Sequence, residues 1–120
     1  MVVVALIGIL SAVAINFYGN YIVDANRTDA RVALSRISTS LEKCKSLYGN
    51  YIDNCNVALP MDSDDGFYSI AATTITGTTF TLTATPVAGQ PQANDADCTS
   101  LTLTNTGIRG GAGADPSECW

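Results

Sequence analysis

Histidine is absent from these 120 residues. That removes imidazole as a general base and as a metal ligand, and with it His-based triads and His-ligated metal sites. Charge is also scarce, at 14% of residues, and the net charge is −5. The four cysteines form no C-x-x-C; ten, forty-two and twenty residues separate them, which does not fit a zinc site. Nothing basic precedes the apolar run that opens the chain, and the first basic residue is Arg27. A secretory signal needs a basic n-region and a small-residue cleavage site, so a removable signal is not the reading.

What is present at the start is "MVVVALIGILSAVAIN", Met1–Asn16, without a charge. As a helix, Met1–Ile15 rises about 22 Å against a bilayer core of about 30 Å. Phe17, Tyr18, Tyr21 and Ile22 bring the stretch close to a full span, and the three aromatics suit an interfacial belt. Beyond it, Ile22–Tyr48 holds no Pro and no Gly. Ala30, Ala33, Leu34, Ile37, Leu41, Cys44 and Tyr48 recur at spacings of three and four, an apolar stripe. Arg27, Arg31, Ser35, Ser38, Glu42 and Lys45 are placed off that stripe. The pattern predicts one helix of about 48 residues, about 70 Å long, ended by Gly49 and Asn50. It divides the chain into an apolar half, residues 1–21, and a globular part, residues 22–120.

Tyr51–Gly66 reads as a connecting loop. Phe67–Ile75, Thr79–Val87 and Thr99–Gly107 read as strands. The second alternates Phe80, Leu82 and Ala84 with Thr81, Thr83 and Thr85, and Gly77 marks a hairpin turn. Gly107, Gly110, Gly111 and Gly113 read as a loop-like tail. The fold class is therefore α+β, a long N-terminal helix packed on a three- to four-stranded antiparallel sheet.

Cys44, Cys55, Cys98 and Cys119 suggest disulfides formed in an oxidising compartment. Three pairings are open, and the local pairs Cys44–Cys55 and Cys98–Cys119 close the shortest loops. "DSDDG", Asp62–Gly66, lacks the spacing and distal Glu of a calcium loop and reads as a solvated turn. Arg27 and Arg31 sit one helical turn apart, but the acidic balance and the lack of a basic–aromatic strip argue against DNA binding. Their expected partners are Asp24, Asp29 or acids of a neighbouring subunit. "NRT", Asn26–Thr28, matches a glycosylation sequon but falls within the helix. No nucleophile, base or converging carboxylates point to an enzyme, and no metal or cofactor is implied.

The opening run resembles the N-terminal segment of type IV pilins, whose mature chains begin Phe-Thr-Leu-Ile-Glu-Leu and continue into a run like this one. The chain starts in register just after those six residues, so the family's assembly glutamate has no counterpart in it. "LEKCKSLYGNYIDNC", "TFTLTATP", "DADCTSLTLTNTG" and the terminal "CW" are similar to the globular half of PilE-like type IVa pilins. The resemblance implies the type IV pilin fold and a structural subunit of an extracellular pilus, used in adhesion, twitching motility or DNA uptake. The partners implied are identical subunits in a helical filament, the inner membrane before assembly and the pilus assembly machinery. Val3, Leu6, Ile7, Leu10, Ala14 and Phe17 would pack the filament core. In related pilins the helix loses regular hydrogen bonding between a Gly and a Pro; Gly8 is present here and Asn16 stands for the Pro, so a break is expected between them in the assembled state. Within this reading the disulfides expected are Cys44–Cys55 and Cys98–Cys119. A secretion pseudopilin and a membrane-anchored periplasmic binding module are the competing readings.

Overall fold

The computed structural model describes residues 1–120, the side chain of Asn16 excepted. One helix, α1, runs from Val2 to Tyr48. At 1.5 Å per residue its 47 residues account for about 70 Å, essentially the whole long dimension of a molecule measuring 72 × 24 × 23 Å. It stops at Gly49, whose left-handed backbone (φ 82°) lets its N–H donate to the Lys45 carbonyl at 2.7 Å.

Five strands follow: β1 Met61–Asp62, β2 Tyr68–Ile75, β3 Phe80–Pro86, β4 Ser100–Thr104 and β5 Arg109–Ala112. They form one antiparallel sheet in the order β1-β2-β3-β4-β5. Strand alternation sends Tyr68, Ile70, Phe80, Leu82, Ala84, Leu101 and Leu103 to one face, and all are buried. They pack with Ala30, Ala33, Leu34, Ile37 and Leu41 of α1 in one core. The opposite face carries hydroxyls in register, Thr83 across from Thr102 and Thr81 across from Thr104. This is the helix-on-sheet architecture that the helical stripe and the alternating strands imply.

The sheet has two more short strands than the three stretches read from the sequence. β1 lies inside the segment read as a connecting loop and pairs with β2 through Met61–Ile70 and Asp62–Ser69; two residues are too few for an alternation to register. β5 lies in the tail read as a loop. Its glycines are there for close approach: a Cβ on Gly111 would sit 2.5 Å from Cys119 Sγ and 2.7 Å from the Ser100 carbonyl oxygen. Glycine weakens the appearance of a strand while permitting this one. Two positions on the helix also differ from the expected pattern. Tyr48, placed on the apolar stripe, is exposed, and Tyr51 is buried instead, its ring edge-on to Phe80 at 4.9 Å. Arg27, placed off the stripe, is buried; it precedes Ala30 by three residues and Leu34 by seven, so it continues the buried line.

Gly111→Ala should lower head stability by about 1–3 kcal/mol, because a methyl has no room there. Gly77→Ala, which would meet only the Asn50 Cβ at 3.7 Å, should change it by less than about 0.5 kcal/mol. Thermal or denaturant unfolding of the full chain in detergent measures both.

Candidate functional site

Two features of α1 stand apart from an ordinary core helix. The first is its N-terminal half. Val3, Leu6, Ile7, Leu10, Ala14 and Phe17 are all exposed, as are the apolar residues around them on every side. The segment is apolar and long enough to cross a membrane, and none of its most apolar window is buried against the rest of the chain. Residues 1–21 as helix span about 32 Å, close to a bilayer core. Gly8 has open space around its Cα, and α1 passes through it without interruption. Ser11 Oγ donates back to the Ile7 carbonyl at 2.8 Å, a bond that competes with the helical ladder. The side chain of Asn16 lies outside the described residues.

The second feature is the junction where this rod enters the head. Arg27 forms a two-pronged pair with Asp95, Nε to Oδ2 at 2.7 Å and Nη2 to Oδ1 at 2.8 Å, and both side chains are almost wholly buried. Its remaining nitrogen, Nη1, donates to the Glu118 carbonyl at 3.1 Å. Arg31, one turn on, donates to the carbonyls of Cys119 (2.9 Å) and Glu118 (3.3 Å). Asp95 Oδ1 also accepts from the Cys98 amide at 3.2 Å. Gln92, on the 3₁₀ turn Pro91–Asn94, donates to the Val23 carbonyl at 3.1 Å and to the Tyr68 hydroxyl at 2.8 Å. The rod is thus gripped at its base by the 3₁₀ turn and the C-terminal segment.

The sequence reading had Asp24 as a partner for these arginines, and Asp24 does lie 3.6 Å from Arg27 and 3.7 Å from Arg31. It missed Asp95 and Gln92, which sit in a polar loop without periodicity. Asp29, the other proposed partner, instead binds the "DSDDG" turn: it accepts from Ser63 Oγ and from the Asp65 amide. Asp64 of the same turn pairs with Arg36. The structure joins Cys44 to Cys55 and Cys98 to Cys119. The second bridge ties Cys119, whose carbonyl Arg31 reads, to the start of β4.

Burial by itself pushes the Asp95 carboxyl up, but the Arg27 guanidinium and then the Cys98 amide pull harder, and the group lies below the usual carboxylate range. The sign follows from linkage. A carboxyl depressed in the folded state contributes stability that is fully present above its unfolded value of about 3.9 and is lost as pH falls through the lower folded value. Stability should therefore be level from about pH 5 upward and decline below about pH 4. Asp95→Ala, which leaves Arg27 buried and unpaired, should cost about 3–5 kcal/mol at pH 7 and flatten that acid limb. Asp64→Asn, on an exposed pair, should do neither. Chemical denaturation at a series of pH values reads all three.

Comparison with known proteins agrees with this architecture. No curated protein matches the sequence. The crystal structure of the Neisseria meningitidis non-core minor pilin PilV has a similar fold, with a TM-score of 0.58 and 17% identity over 78% of this chain and 90% of that one. The family model described as "Type IV minor pilin ComP, DNA uptake sequence receptor" matches residues 17–102. That match takes in the base of the rod, the head helix and β1 through most of β4, well over half of the chain, and the chain belongs to this family of type IV minor pilins.

Proposed function

We propose that this chain is a structural subunit of a type IV pilus that enters the filament through residues 1–21 of α1. The observation that supports this reading is the rod itself, an apolar helix exposed on all sides and joined without a linker to the head. Such a surface is stable in lipid or among other apolar helices. Held in the inner membrane before assembly, it exchanges lipid for neighbouring rods as it enters the fibre. A contact repeated by rotation and rise that does not close gives an open helix. Val3, Leu6, Ile7, Leu10, Ala14 and Phe17 then pack the core and the sheet faces outward. A membrane-anchored binding module would need the anchor but not its direct continuation into the head helix.

Leu10→Asp should abolish incorporation into sheared, pelletable filaments and weaken membrane retention, since a carboxylate at mid-span costs about 2.5–3.5 kcal/mol. Thr83→Asp, on the outward face of β3, should leave incorporation intact. Normal incorporation of the Leu10 variant would overturn the reading. Within the assembled filament we expect the Gly8–Asn16 segment to lose regular helical bonding. Gly8 is a poor helix former, and neighbours or trapped water can take over bonds that lipid cannot. A filament map with unbroken i→i−4 bonding from Met1 to Tyr48 would rule this out.

The family description favours DNA uptake as the role. The chain's own charge argues that it contributes few phosphate contacts. Arg27 and Arg31 are engaged by Asp95 and the C-terminal carbonyls, and the basic–aromatic contacts among the described residues are Lys45 over Tyr51 at 4.6 Å and Arg109 over Trp120 at 5.0 Å. Any duplex binding by the isolated chain should show a salt slope no steeper than about −2 in log Kobs against log salt. A much steeper slope in a titration would reveal a basic surface formed in another way.

A further inference from the structure

We propose that the open edge of β2 takes an extended, uncharged segment of a different protein as an added strand. The proposal goes beyond the filament reading and uses a surface outside residues 1–21. β1 pairs with β2 only at Ser69 and Ile70. From Ala71 to Ile75 the strand has β3 on one side and, among the described residues, no strand on the other. The direction of its free groups follows from the bonds that flank this stretch. The Tyr68 carbonyl accepts from the Ser63 amide and the Tyr68 amide donates to Ser63 Oγ, so its backbone faces the β1 side. Alternation turns Ala72 the same way. The Thr76 amide donates to the Thr79 carbonyl across the hairpin, so its neighbour Ile75 faces outward as well. The stretch reads "AATTI" and holds no charge and no proline, the residues that blunt exposed edges. The bulge between Ala72 and Thr74 does not shield it: its extra residue, Thr73, is bonded back to Thr83 through the two hydroxyls at 2.6 Å. The opposite edge is treated differently. β5 carries Arg109 and packs against the C-terminal turn Pro116–Cys119, with Trp120 donating to the Gly110 carbonyl.

Beside this edge the core runs out to the surface. A groove of about 280 Å³ is lined by Val57, Leu59, Pro60, Ala71, Ala72 and Ile75, with no charged side chain. Val57, Leu59 and Ala72 pack against the buried cluster from its margin. Ile75, paired with the buried Phe80, is exposed. These two features define the occupant. Donors and acceptors repeating along a strand edge match extended backbone, and an apolar pocket beside them selects the side chains that alternate inward. Five residues of β2 span about 17 Å. The added segment is of that length, continues the line of β1, and sets aliphatic side chains on the helix side and polar ones on the threonine side. A second copy does not fit. Antiparallel pairing of β2 with β2 points the two rods in opposite directions, and parallel pairing sets the threonine face of one beside the apolar face of the other. The partner is therefore another protein.

Photo-reactive benzoylphenylalanine placed at Ala71, in cells making the full-length chain, tests this. The expected product joins the chain to one other protein, and its peptide map places the link within a single uncharged segment. Ile75→Lys puts a charge on the edge, and Ala72→Pro removes the outward N–H. Each should lower the yield about tenfold without lowering the melting temperature of the purified chain in detergent. Ile75→Lys, at an exposed position, carries the test alone if the proline variant melts early. Ile108→Lys, exposed but outside the groove, should leave the yield unchanged. A link to a second copy or to a charged or helical segment overturns the proposal. So does a link that survives Ile75→Lys, or the absence of any protein product. None of these results bears on the entry of residues 1–21 into the filament, which the Leu10 variant tests separately.

Discussion

A single helix that belongs to two surroundings sets the terms for everything else in this molecule. Among the described residues, those of the first twenty-one are exposed on the chain, and a head of about a hundred residues could not cover them. Because α1 continues from rod to head without a linker, any force on the rod is delivered directly to the head. The junction is therefore where a polar device is needed. A purely apolar contact resists sliding along the helix poorly, since one turn resembles the next. The two-pronged Arg27–Asp95 pair, with Gln92 on the Val23 carbonyl, fixes both rotation and register. A buried ion pair of this kind is weak as a source of stability but selective for one geometry.

The C-terminal segment completes that junction. Arg27 and Arg31 bond to the carbonyls of Glu118 and Cys119, which have no directional preference of their own until the backbone is held. The Cys98–Cys119 bridge holds it, and the Trp120 indole donates to the Gly110 carbonyl at 2.8 Å. That last bond caps the outer side of β5, an edge strand that would otherwise offer unpaired groups to another chain. At the other end Tyr51 plays a similar part. Its buried ring closes the core beneath the helix terminus, and its hydroxyl donates to Glu42 at 2.7 Å. Burial and that bond together push its pKa up to about 12, so the phenol stays protonated and keeps donating across physiological pH.

The parts of this structure that were readable in the sequence are those that repeat. The helix, its apolar stripe, the three alternating stretches and Gly49 as the stop all rest on periodicity or on a residue with one conformational use. What was not readable rests on single contacts between distant segments. Asp95 and Gln92 sit in "GQPQANDADC", which has no period, and nothing local distinguishes a buried Asp from the solvated ones beside it. Arg27 looked polar and outward because charge outweighed position; its spacing from Ala30 and Leu34 was the signal. The glycines of β5 misled for a related reason. Glycine reports a need for room or for unusual backbone, and only the neighbour, here Cys119, tells which.

Charge is unevenly distributed over the head. Five of the six basic residues lie on α1. Arg27 and Arg31 are spent at the junction, Arg36 is paired with Asp64 and Lys45 lies over the Tyr51 ring. The face of the sheet away from the helix carries threonines in register and no strand residue there is charged between Tyr68 and Thr104. The uncharged outer face is bordered by Asp62 on edge strand β1 and Arg109 on edge strand β5. Charge on the head is therefore kept to its edges and its ends, where pairing with Asp95, Asp64 and the C-terminal carbonyls already uses most of the cations.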